Sequence, residues 1–225
     1  MSKLPSISDV LYKLEKPFSA QNQWNLTFAN ECLFAKQQLQ KNGYTLQAAQ
    51  NNPDSLKSAI LNVAAIGISL NPANAHAYLV PRDQSICLDI SYRGLVKLAT
   101  DAGAIQWAKA VLVYEGDDFK WRGPATAPLH EADVFADGRI DANDPLKNLK
   151  GGYCLAKLST GEMMVDVMTA GEISAIRDAS KAKNGPWNGP WAGEMAKKAL
   201  VKRASKSWPQ TAMRDRLDQA VHVLN

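Results

Sequence analysis

At 225 residues, with 46% apolar and 21% charged side chains, the chain is long enough to bury a sizeable core, and its composition excludes a disordered or fibrous protein. A formal net charge of +4 permits a polyanionic partner without requiring one, so the distribution of charge decides. Three widely separated cysteines, Cys32, Cys87 and Cys154, with no CxxC or Cys/His cluster, exclude a disulfide framework and a zinc site of the usual spacing.

Residues 1–18 read as a short leader. From residue 19 to 41, Phe28, Cys32, Ala35 and Leu39 recur at helical spacing, with a Gln/Asn-rich face opposite, and Gly43 ends the helix. A second helix starts with Asp54 or Ser55 as N-cap, buries Leu56, Ile60, Val63 and Ala64, and stops around Gly67 and Asn71-Pro72. Strands at 75–81 and 86–91 flank a four-residue loop, Arg82 to Ser85. Tyr92-Arg93-Gly94-Leu95 opens a helix that Gly103 ends. Further strands are expected at 107–115, 119–121, 152–158 and 163–168, the last two joined at Ser159-Thr160-Gly161. Residues 123–150, rich in Pro, Asp, Asn and Gly, read as a long loop. Thr169 caps a helix, with Glu172 placed for a capping box. A basic helix follows, and after Pro209 a final helix from residue 211 carries Leu217, Ala220, Val221 and Leu224. The expected class is α+β: a small antiparallel sheet flanked by helices, with a basic C-terminal helical segment. The expected organisation is one domain over 19–209, between the leader and a terminal helix at 210–225.

The charge is concentrated near the C-terminal end. From Glu172 to Asn225 there are ten Lys or Arg against five Asp or Glu, a surplus larger than that of the whole chain. A doubled Gly-Pro-Trp, Gly185-Pro186-Trp187 and Gly189-Pro190-Trp191, runs into the basic helix. At about 100° per residue, Lys198, Lys202 and Lys206 stack on one face with Trp191, flanked by Lys197 and Arg203, while Ala196, Leu200 and Ala204 lie opposite. Glu194 is the sole acid between Trp191 and Trp208, so internal pairing is not expected to neutralise the row. Aromatic plates beside a cationic helix suit a nucleic-acid strand; the competing reading is a solvated helix below a loop whose tryptophans plug the core.

Chemistry by side chains has little support. No GxxxxGK[ST], GxGxxG or GxSxG occurs, and His76, His130 and His222 fall in unrelated contexts. Asp117, Asp118, Asp141 and Asp144 are the candidates for a metal-dependent nuclease, against their commoner use as turn formers. No apolar run reaches the length of a membrane span and the N-terminus lacks an apolar h-region, so the expected setting is the cytoplasm.

Four motifs in order, Gly67-Ile68-Ser69-Leu70-Asn71-Pro72, His76-Ala77-Tyr78-Leu79-Val80-Pro81, Ser91-Tyr92-Arg93-Gly94-Leu95 and Gly189-Pro190-Trp191 with Glu194-Met195-Ala196-Lys197-Lys198, resemble the RecT family of phage recombinases, single-strand annealing proteins more distantly similar to the Redβ type. The resemblance runs from about residue 56 to 209. It implies annealing of complementary DNA strands without ATP on homo-oligomeric rings or helical filaments. It also implies a partner 5′→3′ exonuclease, a possible host single-strand binding protein, and no required cofactor, with Mg²⁺ a possible aid. The expected DNA contacts are Arg93, Lys97, Trp191, Lys197, Lys198, Lys202, Arg203 and Lys206. Arg93, at a helix start where the dipole favours phosphate, serves either a phosphate or a salt bridge. Tyr78 and Tyr92 are read equally as core or as stacking residues, and Trp187 as packing more than Trp191. The helices at 19–41 and 211–224 are expected to serve subunit contacts or to close the domain's own core.

Overall fold

The computed structural model describes residues 6–180 and 185–209, with 211, 218, 220 and 222 besides. It is α+β, and contacts divide it into two compact units, one built on the residues up to Leu98 and the other on Ala99–Thr211.

The first unit is mostly helical: α1 Ile7–Tyr12, α2 Glu15–Gln21, α3 Phe28–Gln40, α4 Gly43–Asn51 and α5 Pro53–Ile66. The hairpin β1 Ala77–Arg82 and β2 Ser85–Ile90 follows, and α6 Tyr92–Asp101 opens after it. The single helix expected over 19–41 is broken in two. The Asn22 side chain accepts from Trp24 N and Leu26 N (3.3 and 3.2 Å) and donates to Leu26 O, offering the backbone an alternative to the helical ladder. Trp24 turns inward and donates to Ala65 O at 3.0 Å. It covers Gly67, which ends α5 at φ +72°, and a side chain there would collide with the indole. The sequence reading missed α4, whose N-cap Asn42 accepts from Tyr44 N at 2.9 Å. The cap of α5 is Asn52 rather than Asp54 or Ser55: its Oδ1 accepts from Ser55 N, and Pro53 takes the first helical position.

The polar face of α3 is not wholly solvated. Glu31 is 2% exposed; its oxygens accept from Ser69 Oγ (2.6 Å) and Leu70 N (2.8 Å). Burial pushes its carboxyl above the ordinary value, and these bonds offset only part of that. Gln38 donates to Leu70 O and Ala77 O and accepts from Leu79 N, tying α3 to the first strand. The hairpin turn has two residues rather than four, because Arg82 and Ser85 pair; Asp83 and Gln84 both take positive φ, the primed turn that matches strand twist.

The second unit is a three-stranded antiparallel sheet in the order β3 (Ile105–Tyr114), β6 (Leu149–Leu158), β7 (Met163–Thr169). Val113, Tyr153 and Val165 form a core cluster, with Val111, Phe119 and Leu155 packed against it. The span between β3 and β6, read as loop after residue 123, contains a small hairpin of β4 Asp118–Lys120 and β5 Leu129–Glu131. Helix α7, Ala170–Asp178, starts with the expected capping box of Thr169 and Glu172, both bonds present. A 3₁₀ turn, Pro186–Asn188, leads to α8, Ala192–Ser205, which packs on all three strands. The terminal helix expected from residue 211 falls largely outside the described residues.

Candidate nucleic-acid interface

The two Gly-Pro-Trp units do opposite things. In the first, Asn188 N bonds to Gly185 O and turns Trp187 into the core, where it is 7% exposed. In the second, Ala192 N bonds to Gly189 O and Met195 N to Trp191 O, which starts α8 with Trp191 as N-cap and leaves its indole 66% exposed. Packing for Trp187 and exposure for Trp191 agree with the sequence reading.

The inner face of α8 is small, as its spacing indicated. Ala196, Leu200 and Ala204 are fully buried, and Leu200 lies over Gly152 of β6, where an added Cβ would sit 2.7 Å from Leu200 Cδ1 and 2.8 Å from Val111 O. Lys198, Lys202 and Lys206 therefore project from the opposite side; Lys206 is exposed and the other two are half-buried.

The two flanking cations each meet an acid. Lys197 Nζ lies 2.7 Å from Glu194 Oε1, one turn back. Arg203 Nη2 lies 2.7 Å from Glu172 Oε1, and Nη1 donates to Val167 O at 3.0 Å. Glu172 belongs to α7, so this pair is invisible in the helix's own sequence. The Thr169 backbone N–H first, then Arg203, hold the Glu172 carboxyl down to about 2. Arg203 thus fastens α8 to β7 and α7.

Beside the start of α8 lies an open groove of about 730 Å³. Lys109 and Leu112 of β3 line its floor, Trp191 and Lys197 one wall, and Val134 and Ile140 the other. That second wall is held by a buried acid. Asp117 Oδ1 accepts from Arg139 Nε and Oδ2 from Arg139 Nη2, both at 2.7 Å. Tyr114 N donates to Oδ2 at 2.9 Å, and His130 Nε2 sits 3.0 Å from it. His130 Nδ1 in turn meets the Tyr153 hydroxyl at 3.2 Å, and the Arg139 guanidinium stacks 4.8 Å from the Tyr114 ring centroid. Burial would raise the Asp117 carboxyl, but the bonds from Arg139, Tyr114 N and His130 outweigh it and hold it well below the ordinary carboxylate range. Sequence reasoning missed Lys109 and Arg139: one reads as an ordinary strand residue, the other as part of a polar loop.

A model of the RecT family matches residues 30–221. Protein RecT of Escherichia coli (strain K12) is 34% identical over 164 residues, which are 69% of this chain and 58% of that protein. The chain belongs to the RecT family. It spans less than two thirds of that relative's length.

Two motifs that carry the RecT resemblance meet in one corner. Ser91 N donates to His76 O and Ser91 Oγ to Ala75 O, while that hydroxyl accepts from Gly94 N and caps α6. Gly94 packs so closely that a Cβ would collide with His76 O. Arg93 and Lys97 stand exposed one turn apart on α6, in the unit that does not contain α8. Tyr92 is half-buried and Tyr78 is 38% exposed.

Three of the four acids considered for metal chemistry are engaged otherwise, and Asp118 stands exposed at the start of β4. Asp117 is the hub just described. Asp141 accepts from Asn143 N and Asp144 N, and Asp144 from Leu146 N, as turn formers do. Among the described residues no group of three or more His, Cys, Asp or Glu side chains could hold a metal, and no helix is long and apolar enough to cross a membrane. Burial pushes the Cys32 thiol up to about 11 and the Cys154 thiol up to about 12.

Proposed function

We propose that this protein binds single-stranded DNA along α8 and the adjoining groove and anneals complementary strands, without nucleotide hydrolysis, in homologous recombination. The observation that carries the reading is the outward row of Lys198, Lys202 and Lys206 beside a tryptophan that is 66% exposed. Phosphates follow the row, and release of their counterions supplies a salt-sensitive affinity. A base stacks on Trp191. Lys197 and Arg203, oriented by Glu194 and Glu172, flank the strand, and Arg93 with Lys97 offers a second positive spot on α6. The annealing function is assigned to residues 19–209. No covalent step occurs; base pairing drives the reaction, and the protein lowers the cost of bringing two polyanions together.

Membership of the RecT family supports the remaining parts of the reading. The protein works as a homo-oligomer, ring or filament, on strands exposed by a 5′→3′ exonuclease, alongside a host single-strand binding protein, in the bacterial cytoplasm. Mg²⁺ screens phosphates but is not required. The test mixes two complementary labelled oligonucleotides with the protein, without nucleotide and with or without Mg²⁺. Duplex formed faster than the spontaneous rate is expected. Shortened strands would establish a nuclease, a strict need for ATP would refute the mechanism, and neither duplex nor cleavage would leave α8 as a dock for an acidic protein.

A further inference from the structure

The loop between β5 and β6 ends in a knob. Phe135 is 92% exposed and Val134 beside it 62%. Single exposed apolar side chains are ordinary, but adjoining ones form a patch of the kind that marks a contact surface. The knob is braced: Phe135 N donates to Asp133 Oδ1 (3.1 Å), Ala136 N to Asp133 O (3.1 Å), and Asn148 Nδ2 to Gly138 O (3.0 Å). Its base is Arg139, fixed on buried Asp117. Exposed Asp133 and Asp137 stand two residues to either side of Phe135, with Glu131 before them, so the chain around it is acidic. Its partner is a protein surface, apolar in the middle and cationic at the edge.

The same unit carries such a surface. An apolar slot of about 290 Å³ is walled by Val113, Phe119, Trp121, Val167 and Met168 and floored by Gly151 and Gly152. Its charged lining consists of Asp117, which Arg139 neutralises, and the exposed Lys150. A cavity of roughly 150 Å³ already admits a benzene-sized ring. We propose that Phe135 of one copy inserts into this slot on a second copy, with Asp133 and Asp137 set against Lys150. Each copy carries both knob and slot, so the contact is heterologous and passes from copy to copy. It rests on the homo-oligomer of the proposed function and not on DNA binding or annealing.

Sedimentation velocity without DNA, over a range of protein concentrations, measures the association. The wild-type protein should assemble with concentration. Phe135→Asp and Val167→Glu should each weaken assembly by roughly 30-fold, the scale of losing one buried aromatic anchor, with unchanged circular dichroism melts. Mixing Phe135→Cys chains with size-tagged Val167→Cys chains under mild oxidation should give a cross-linked pair. Replacing the second partner by Thr160→Cys, exposed on the β6–β7 turn, should not. A wild type that stays monomeric, a Phe135→Asp variant that assembles normally, or equal cross-linking to Thr160→Cys would overturn the proposal. So would a Phe135→Asp variant that loses affinity for single-stranded DNA while its assembly is unchanged, which would make the knob a DNA wedge.

Discussion

The two tryptophans of the doubled Gly-Pro-Trp can be separated by a pair of truncations whose magnitudes follow from their burial. Trp187 is 7% and Trp191 66% exposed. With about 200 Å² per tryptophan side chain and 25 cal/mol per Å², Trp187→Ala removes about 4.5 kcal/mol of burial and Trp191→Ala under about 2. For a chain of this size these correspond to melting shifts of about 9–18 °C and about 3–7 °C. For DNA the order reverses. Loss of one stacked base at Trp191 costs about 1–3 kcal/mol, or roughly 5- to 150-fold in affinity, and Trp187→Ala should leave affinity unchanged below its melting point. Circular dichroism melts and fluorescence-anisotropy titrations with a labelled oligonucleotide read both quantities. Equal melting shifts, or a Trp191→Ala variant with wild-type affinity, would refute the division of labour.

Lys198→Ala and Lys202→Ala should each lower the slope of log affinity against log salt by about 0.7, one phosphate on a single strand, while changing stability by at most about 1 kcal/mol; titrations at several salt concentrations test this. Asp117 gives a pH prediction. Its carboxyl ionises more readily in the fold than at the ordinary value of about 3.9, so its stabilisation is complete above that value and is lost as pH falls below it. Denaturant titrations across the acid range should show this loss. Asp117→Asn should abolish that part of the acid dependence and, by leaving Arg139 without its carboxylate, cost about 3–5 kcal/mol at neutral pH.

The parts of the fold legible in the sequence were those set by local rules. The small inner face of α8, the capping box at Thr169 and the stop at Gly67 each rest on residues within a few positions of one another, so periodicity and cap chemistry sufficed. The break at Asn22 was hidden because Phe28, Cys32, Ala35 and Leu39 keep a helical spacing that says nothing about where the helix begins. Glu31 and Gln38 sit on a face that reads as solvated; their burial depends on Leu70, Ala77 and Leu79, more than thirty residues away. At the candidate site the lysine row was legible from helical phase alone. The restraint on Arg203 was not, because its acid comes from α7, and the second wall of the groove was not, because a single buried acid organises a stretch whose composition reads as loop.

The thinness of the seam beneath α8 has a consequence for where its surface geometry is encoded. Ala192, Ala196 and Ala204 are buried along α8, and Leu200 lies over Gly152, which has no side chain of its own. A methyl group added at Gly152 would meet Val111 O at 2.8 Å as well as Leu200 Cδ1, so turning the Leu200 side chain is not enough, and the strand backbone or the helix axis must shift. The lysines on the far side ride on that axis. Their height above the sheet and their angle to Trp191 are therefore set at buried positions, and an inner substitution acts on the outer row as a shim does under a rail.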